Sequence, residues 1–486
     1  MAKKRTPSLE EYRRKRNLGR TPEPAGDRGG RSAGKPRFVI QEHDARRLHW
    51  DLRLEHDGAL ASWALPRGLP TDPKKNRLAV RTEDHPMRYL DFAGTIPEGE
   101  YGAGEMRIVD TGGYECEKWT EDKVTFRLEG AVLTGKFSVF RTKGDDWMIH
   151  RYEAEPDRVP MPDRIDPMLA TLARGLPGEE DSYAYEIKWD GMRAVAYCEG
   201  GSLRLLSRTG RDITDGFPEI KPLGRAVGMR SAVLDGELAV LGEDGRADFQ
   251  RLQQRMNVSA RRVSDSLVRS APVTYLIFDL LFWEGELLLD RPYEVRRARL
   301  AGIGLEGESW RTPDHQVGDG QKFLEIAREH GLEGIIAKRL DSRYQPGRRS
   351  RDWLKIKNVR SQEIVIGGWT PGKGGRKGRI GALLAGYWKE EEGEMRLHYA
   401  GRVGTGFTEA VLTELADRLE PLITNQSPFA GRQPPRDSVF AEPRLVGEVQ
   451  FAEWTRAGTL RAPVFKGLRP DKSADEVRRE EPIPAP

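Results

Sequence analysis

The sequence predicts a multidomain chain with a small antiparallel β-barrel, then an α+β domain, then a C-terminal barrel of the OB type. Its 486 residues correspond to about three domains of ~150 residues each. A turn-rich stretch, residues 154–168, contains four prolines and no apolar periodicity, which marks the first boundary. The apolar spacing then changes along the chain and predicts domains at 1–155, 165–360 and 361–472, followed by a tail at 473–486.

Each domain is predicted from its own pattern of apolar residues. In the first, short alternating runs such as RLHWDLRLE are separated by glycine-containing turns, which favours a barrel or sandwich with little helix. In the second, strand-like runs such as AVLDGELAVL and VTYLIFDLLFW alternate with helix-like stretches such as QKFLEIAREHG. In the third, about five strand-like runs surround one amphipathic helix, FTEAVLTELADRLEPL, a pattern typical of an OB-type barrel.

The composition of the chain excludes several classes of protein. Two cysteines exclude a disulfide scaffold and a cysteine-ligated zinc ribbon. The longest apolar run, residues 275–283, is far shorter than the roughly 18 residues that span a bilayer, so no membrane partner is expected. Because the first residues lack the apolar segment of a secretory signal, we expect a cytoplasmic protein.

Positive charge is concentrated at the N-terminus. Residues 1–37 contain twelve Lys or Arg against four acidic residues, whereas the whole chain carries only +4. Such a basic arm, with glycine and proline among its residues, predicts contact with phosphate backbones. A solvated tail is the alternative.

Histidines are concentrated in the first domain, where four of the eight lie between residues 43 and 85. A strand through LHWDLRLE places His49, Asp51 and Arg53 on the face opposite its apolar residues. His43 precedes the run by a few residues, and we expect it to enter from the preceding turn. Two imidazoles and one carboxylate suit Mn²⁺, Zn²⁺ or Fe²⁺. The alternative is a strand whose polar face is merely solvated.

Other polar residues of this domain suit phosphate chemistry. His85, in the sequence EDHP, is a candidate general acid or charge stabiliser. Arg53 and Arg77 are candidates to neutralise phosphate oxygens.

The second domain contains a lysine flanked by acids. In YEIKWDGMR, alternation places Glu186, Lys188 and Asp190 on one face, and Gly191 ends the strand so that Arg193 turns back. A nucleophilic lysine needs its pKa lowered from about 10.4 by burial or by nearby cations. Such a lysine would attack the α-phosphorus of a nucleotide. The alternative is a structural lysine with two ion-pair partners.

Segments further along the chain carry the other groups that covalent nucleotidyl transfer needs. Glu237 and Glu333 suit Mg²⁺. Phe278 suits stacking on a purine, although an aromatic in an apolar run also fits a plain core. Lys355 and Lys357 share one face of a strand and are expected, with Lys338, to bracket triphosphate oxygens.

With these segments in this order, the chain resembles the bacterial DNA ligase D family of non-homologous end joining, in a form lacking the polymerase domain. The likeness covers nearly the whole chain. Its motifs are KWDGMR, SRTGRD, LDGEL, YLIFDLL, EGIIAK, WLKIK and the C-terminal FAEWTRAGTLRAPVFKGLR. The resemblance implies that Lys188 is adenylated, that Arg208 contacts the nucleotide, and that Arg461 and Arg469 orient the leaving pyrophosphate.

The first domain resembles the 3′-phosphoesterase module of the same family, most clearly in FVIQEHDARRLHWDLRLE. The resemblance implies metal ligation by His43, His49 and Asp51, a transition-state contact from His85, phosphate contacts from Arg53, Arg77 and Tyr89, and a catalytic arm carrying Arg16 and Glu23. Two positions depart from the family: Asn17 replaces an aspartate of the arm, and Arg67 stands where lysine is usual.

The resemblance implies an ATP-dependent ligase that uses Mg²⁺ to seal DNA ends and nicks, with a Mn²⁺-type phosphoesterase that cleans 3′ ends, in the bacterial cytoplasm and at the nucleoid. DNA is expected at the OB domain and at the basic loop 370–381, with a Ku-type protein as a further partner. The alternatives are an RNA ligase, a capping-type guanylyltransferase, and an inert scaffold for DNA ends.

Overall fold

The computed structural model describes residues 8–25, 34–142, 146–154, 158–256, 263–358, 360–372, 379–455 and 457–481. The predicted fold class is confirmed: a β-barrel, an α+β domain and a second barrel follow one another along the chain. Within these ranges, no helix is long and apolar enough to cross a membrane.

The first domain is a closed barrel. It and the segment before it contain α1 (Glu10–Lys15), β1 (Arg37–Asp44), β2 (Leu48–His56), β3 (Ala59–Leu65), β4 (Arg77–Arg81), β5 (Gly94–Ile96), β6 (Gly104–Trp119), β7 (Lys123–Gly130), β8 (Thr134–Arg141) and β9 (Asp146–Arg151). Eight antiparallel strands pair in the order β1, β2, β3, β4, β9, β8, β7, β6, and β1 also pairs with β6 to close the ring. Trp50, Leu52 and Leu54 of β2 fill the core, as the alternation predicts.

The second domain is built from two sheets. Its elements are β10 (Leu169–Leu172), β11 (Tyr183–Ile187), β12 (Met192–Glu199), β13 (Ser202–Ser207), α2 (Pro222–Val227), β14 (Ser231–Val240), α3 (Phe249–Gln253), α4 (Asp265–Ser270), β15 (Val273–Trp283), β16 (Glu286–Leu287), α5 (Tyr293–Ile303), β17 (Trp310–Arg311), β18 (Gln316–Val317), α6 (Gly320–Glu329), β19 (Gly334–Arg339) and β20 (Arg349–Lys357). One sheet has the order β10, β20, β19, β11, β18, and the other has the order β13, β12, β14, β15, β16.

The third domain is a seven-stranded sheet, and one face of the predicted amphipathic helix packs into its core. It contains β21 (Ser361–Pro371), β22 (Ile380–Glu391), β23 (Glu394–Val403), α7 (Glu409–Leu419), β24 (Ile423–Thr424), β25 (Phe429–Ala430), β26 (Val439–Gln450), β27 (Glu453–Trp454), β28 (Leu460–Arg461) and β29 (Val464–Leu468). The helix contributes Leu412, Leu415 and Leu419 to the core, at the spacing of one helix face.

The segment after the third domain is more ordered than the sequence predicts. Val477 is buried in the core of the domain, and its carbonyl oxygen accepts a hydrogen bond from the Trp388 amide. Residues 473–481 are therefore part of the folded structure rather than a free tail.

The barrel contacts the second domain at the turn between β12 and β13. Arg77 of the barrel forms an ion pair with Glu199 at 2.6 Å, and Asp44 pairs with Arg225 of α2 at 3.2 Å. Gly200 follows Glu199 with a φ of +52°, and a side chain there would collide with the carbonyl oxygen of Arg67. Glycine at this turn therefore permits the close approach of the two domains.

Candidate active sites

The metal-ligating candidates of the barrel lie on two neighbouring strands. His43 on β1 is directly opposite His49 on β2, and Asp51 lies two residues further along β2. One ligand atom from each lies within 4.8 Å of the other two, and no other three His, Cys, Asp or Glu residues in the described ranges cluster in this way. The expected turn position of His43 is wrong, because β1 extends to Asp44 and carries the histidine across from His49.

The hydrogen bonds of both histidines suit metal binding. His43 Nε2 donates to the Gly102 carbonyl oxygen at 2.9 Å, and His49 Nδ1 donates to the Arg47 carbonyl oxygen at 2.9 Å. The other ring nitrogens, His43 Nδ1 and His49 Nε2, face the Asp51 carboxylate at 3.7 and 3.8 Å. Backbone acceptors that fix the tautomer in this way are typical of metal-binding histidines.

Asp51 is ionised although it is buried. Burial acts to raise its pKa, but Arg53 and the two histidines outweigh this effect and lower the pKa to about 2. Arg53 Nη2 donates to Asp51 Oδ2 at 2.8 Å. Two imidazoles and a carboxylate thus form a donor set that fits a divalent transition metal.

His85 borders the same cleft, which has a volume of about 1270 Å³. Its Nδ1 donates to the Glu83 carbonyl oxygen at 2.8 Å, so its Nε2 accepts from Arg16 Nη2 at 3.1 Å. Burial, Arg53 and Arg16 lower the pKa of His85 well below its ordinary value. A neutral imidazole in this state is an acceptor at Nε2, so in this state His85 orients Arg16 and does not itself donate a proton into the cleft.

The predicted arm residues reach this cleft. Arg16 Nε donates to Glu23 Oε1 at 2.6 Å, and the Tyr89 hydroxyl donates to the same carboxylate. Tyr12 of α1 is fully buried, and the Arg16 guanidinium lies 4.1 Å from the centre of its ring. The described part of the basic arm is thus packed against the barrel, while residues 1–7 and 26–33 lie outside the described ranges.

One buried residue of this cleft was not predicted. Glu83 pairs with Arg16 at 2.7 Å and with Lys15 at 3.0 Å. Burial acts to raise its pKa, but hydrogen bonds from Arg16 and Lys15 lower it. Its position two residues before His85 is a sequence signal, because alternate residues of an extended segment share a face.

Arg77 is not brought to the cleft. Its guanidinium donates to the carbonyl oxygens of Arg67 and Leu69 and pairs with Glu199 of the second domain. The expectation that Arg77 contacts phosphate in this cleft does not match its position, because these acceptors hold it at the domain contact. Arg67, noted for its departure from lysine, lies at the same contact.

A second cavity, of about 190 Å³, lies between the two sheets of the second domain and the third domain. Its lining includes nearly all of the predicted nucleotide-site residues: Glu186, Lys188, Asp190, Arg193, Arg208, Glu237, Phe278, Glu333, Lys338, Lys355, Lys357 and Arg469. Residues from six strands and from both domains therefore converge on one small space.

Lys188 lies just after β11, in the turn that leads into β12. Its Nζ donates to Glu333 Oε2. Burial acts to lower the pKa of Lys188, but Glu333 and Asp190 outweigh this and raise it. The expected lowered pKa is therefore not seen in this state, because carboxylates rather than cations surround the amine.

Two carboxylates of this cavity, Glu237 and Asp190, have raised pKa values. Burial raises the pKa of Glu237 to about 7, and burial together with Glu333 and Glu448 raises the pKa of Asp190. Carboxylate oxygens are the ligands that Mg²⁺ prefers, and a bound cation would offset the cost of burying them. Glu237 and Glu333 thus fit a divalent cation beside Lys188.

Phe278 and Lys338 lie together at one end of the cavity. The Lys338 ammonium is 4.3 Å from the centre of the Phe278 ring and 2.7 Å from Glu186, which also accepts from the Tyr293 hydroxyl. Arg193 covers the same ring at 4.5 Å and forms an ion pair with Asp235. Lys338 is therefore placed with the aromatic residues and not with Lys355 and Lys357.

Several further cations line the same cavity. Lys355 and Lys357 share one face of β20, and Arg208 and Arg469 reach the same space. Lys472, which was not predicted, joins them and pairs with Glu363 at 2.8 Å. Arg469 pairs with Glu448 and Asp471, each at 2.8 Å.

Two other predictions concern Arg461 and the basic loop 370–381. Arg461 lies in the exposed hairpin formed by β27 and β28, where it pairs with Glu453, so it does not reach the cavity. Of the basic loop 370–381, residues 373–378 lie outside the described ranges.

Three sequence families match consecutive parts of the chain. Residues 41–141 match the DNA Ligase D 3′-phosphoesterase domain. Residues 167–357 match the ATP dependent DNA ligase domain, and residues 376–472 match the ATP dependent DNA ligase C terminal region. The chain is 42% identical over 483 residues to the multifunctional non-homologous end joining protein LigD of Mycolicibacterium smegmatis, which covers 96% of the chain. The chain belongs to the DNA ligase D family.

A second curated relative and a solved structure are also similar to the chain. The Pseudomonas aeruginosa LigD protein is 39% identical over 537 residues, covering 98% of the chain and 62% of that protein. The chain spans about 61% of the length of the Mycolicibacterium relative. A solved structure of mycobacterial DNA ligase D complexed with ATP and MES is 39% identical and covers 65% of the chain and 98% of that structure, with a TM-score of 0.48. By these matches the three domains are a phosphoesterase barrel, an adenylation domain and an OB domain.

Proposed function

We propose that the chain is an ATP-dependent DNA ligase whose adenylation domain seals 5′-phosphate and 3′-hydroxyl ends, and whose barrel removes phosphate from blocked 3′ ends. The observation that carries this proposal is the convergence of Lys188, buried carboxylates and phosphate-binding cations on one cavity. Sealing and end cleaning belong together, because a ligase cannot use a 3′-phosphate.

In the first step, the unprotonated Lys188 Nζ attacks the α-phosphorus of ATP. A nitrogen–phosphorus bond forms, the bond to the bridging oxygen of the β-phosphate breaks, pyrophosphate leaves and the amine proton passes to solvent. A divalent cation, Mg²⁺ in our proposal, would neutralise phosphate charge and draw Glu333 away from Lys188. Lys355, Lys357, Arg469 and Lys472 bind the phosphates, and Phe278 stacks on the base, with Glu186, Lys338 and Arg193 around it.

The next steps transfer and release AMP. An oxygen of the DNA 5′-phosphate attacks the adenylate, which breaks the bond to Lys188 and forms a pyrophosphate link between AMP and DNA. The 3′-hydroxyl then attacks the 5′-phosphorus, AMP leaves and the hydroxyl proton passes to solvent. Positioned cations contribute most to steps of this kind, because charge builds up on phosphate oxygens.

In the barrel, water replaces the 3′ oxygen of DNA on phosphorus, and inorganic phosphate is released. We propose Mn²⁺ or a similar metal at His43, His49 and Asp51, where it would polarise a phosphoryl oxygen. Arg53 binds the phosphate, and His85, Arg16 and Glu23 contact the reacting group from the arm side. Tyr89 positions Glu23 through its hydrogen bond.

We infer that the substrates are DNA nicks and double-strand ends, in the bacterial cytoplasm and at the nucleoid, and that a Ku-type protein delivers the ends. The four proposed units are 1–155, 165–360, 361–472 and the segment beyond. Limited proteolysis of the chain, with mass analysis of the fragments, tests these boundaries.

Mass spectrometry of the protein after incubation with ATP and Mg²⁺ tests the central proposal. We expect one covalent AMP on Lys188, and none on Lys188→Ala. The variant should still remove a 3′-phosphate and should partly seal a nick that is already adenylated. Transfer from GTP in place of ATP would favour a guanylyltransferase, sealing of nicked RNA but not DNA would favour an RNA ligase, and absence of any covalent nucleotide would favour a scaffold.

A further inference from the structure

The C-terminal segment, residues 473–481, is anchored on the OB domain. Gln362 Nε2 donates to the carbonyl oxygen of Arg478 at 2.9 Å, and the Arg479 guanidinium lies 4.7 Å from the centre of the Trp454 ring. Together with the buried Val477, these contacts fix the backbone just before Glu480. The Glu480 side chain is thereby directed into the nucleotide cavity.

Glu480 meets both lysines of β20 there. Its carboxylate forms an ion pair with Lys355 Nζ and lies 3.6 Å from Lys357 Nζ. Burial acts to raise its pKa, but Lys355 and Lys357 outweigh this and lower the pKa to about 2, so Glu480 is an anion at neutral pH. The side chain lines the cavity alongside Lys188 and Glu333.

A second carboxylate of the same segment repeats the arrangement. Glu476 pairs with Arg208 Nη2 at 2.7 Å. Glu476 and Glu480, four positions apart, therefore pair with three of the cations that line the cavity. Carboxylate and phosphate oxygens compete for such cations, because both accept charge-assisted hydrogen bonds.

We propose that the C-terminal segment is a built-in competitor of ATP, in which the Glu480 carboxylate holds the place of nucleotide phosphate on Lys355 and Lys357 and thereby sets the affinity for ATP. This inference rests on the proposed function of the cavity as the adenylation site. The Glu480 carboxylate already pairs with the ammonium groups of Lys355 and Lys357, and a phosphate oxygen brought to the same place would repel it. ATP binding then requires Glu480 to leave, while Val477 keeps the rest of the segment in place.

The variant Glu480→Gln tests this role, because it removes the charge and keeps the size. Its backbone amide, which donates to Gln362 Oε1 at 3.1 Å, is unchanged. Suppose that Glu480 pairs with Lys355 and Lys357 in about nine of ten ATP-free molecules. Removing its charge then lowers the apparent KM for ATP in self-adenylation by about tenfold. Glu476→Gln should lower it less, because that pair is half exposed, with Glu476 at 50%.

The matched control is Glu481→Gln, whose carboxylate pairs with Arg479 and not with a lysine of the cavity. We expect its KM for ATP to equal that of the wild type. An unchanged or raised KM in Glu480→Gln overturns the proposal, because a merely structural carboxylate would weaken ATP binding when removed. Glu480→Asp, which keeps the charge but shortens the reach, should give an intermediate value and replaces Glu480→Gln if that variant does not fold.

Binding of α,β-methylene-ATP, which cannot be cleaved at the α-phosphorus, separates the two claims. Tighter binding to Glu480→Gln than to the wild type supports competition even if no lysyl-AMP forms, in which case only the proposed function fails. Equal or weaker binding, with normal lysyl-AMP formation in the wild type, refutes competition and leaves the proposed function intact.

Discussion

The lowered pKa of His85 predicts that the folded protein loses stability in acid. Because the pKa of His85 is lowered in the folded state, the unfolded chain binds more protons between that pKa and ~6.5. Stability contributed by this group is therefore present at neutral pH and is lost as the pH falls below about 6.5.

We accordingly expect wild type to lose more thermal stability between pH 7 and pH 5 than His85→Gln, which has no proton to take up. Thermal unfolding of both proteins at the two pH values, followed by circular dichroism, measures the difference. Equal losses in the two proteins would show that His85 is protonated or exposed in the folded barrel, contrary to its contacts with Glu83 and Arg16.

Individual residues of the two sites were predicted well where a motif fixes them. Alternate residues of a strand share a face, so the sequence alone predicts that His49, Asp51 and Arg53 lie on one face. In the structure all three belong to the continuous strand β2. The environment of Lys188 could not be predicted in this way. Its raised pKa depends on Glu333, which lies 145 residues away along the chain. Positions of this kind depend on how distant strands pair, which no local pattern contains.

The paired strands β1 and β2 act as one metal-binding unit. His43→Ala, His49→Ala and Asp51→Ala should each abolish phosphoesterase activity, because a site with three protein ligands rarely tolerates the loss of one. We expect Mn²⁺ affinity, measured by calorimetry, to fall by at least about tenfold in each variant.

Nick sealing is the internal control in these variants, since the adenylation cavity contains none of the three residues. Full 3′-phosphatase activity of Asp51→Ala at limiting metal would exclude the cluster as the catalytic site. Loss of nick sealing as well would indicate that the variants disturb the fold.

The N-terminal segment with α1 is an integral part of the barrel. The charge pattern alone predicts a detachable electrostatic arm, but it says nothing about Tyr12, which is fully buried beside His85 and Tyr89. Deleting residues 1–25 should therefore lower the melting temperature of the barrel and reduce phosphoesterase turnover even at saturating DNA.

Deleting residues 1–7 alone is the matched control, because the contacts of Tyr12, Arg16 and Glu23 remain. Activity assays at two salt concentrations separate the electrostatic part, which excess DNA would restore. Complete recovery of turnover at saturating DNA in the longer deletion would reduce the arm to a tether.

Contact between the barrel and the adenylation domain depends on few polar pairs. Glu199→Gln removes the charged partner of Arg77, whose guanidinium is largely buried. Since Glu199 is about one third exposed, with 35% of its side chain accessible, we expect a loss of about 1–2 kcal/mol. This corresponds to a decrease of about 2–4 °C per kcal/mol in the melting temperature of the domain.

Glu115→Gln is the control for that measurement, because its pair with Lys35 is exposed on both sides. We expect no change there. A Glu199→Gln protein that melts like the wild type would show that the Arg77 pair does not hold the domains together.

Much of the molecule's architecture could be predicted from the sequence, because the spacing of apolar residues distinguishes strands from helices and their mixture differs between the domains. Contacts between domains could not be predicted in the same way. Arg77 was predicted to contact phosphate in the phosphoesterase cleft, both from its residue type and by resemblance, yet it lies at the contact with Glu199. Glu480 was assigned to a tail, yet it enters the nucleotide cavity. Both depend on how separately folded units meet, and the composition of a segment carries no information about its neighbour.

Closure of the barrel has a consequence for how its metal ligands behave over time. β1 is hydrogen-bonded to β2 on one side and to β6 on the other, and β2 lies between β1 and β3. Neither strand has a free edge from which pairing could open. The backbone amides of β1 and β2 should therefore be among the slowest in the barrel to exchange with deuterium, slower than those of the arm around Arg16. His43, His49 and Asp51 would therefore keep their register while less protected parts of the barrel open and close, so that the metal site persists on a longer timescale than the local motions around it.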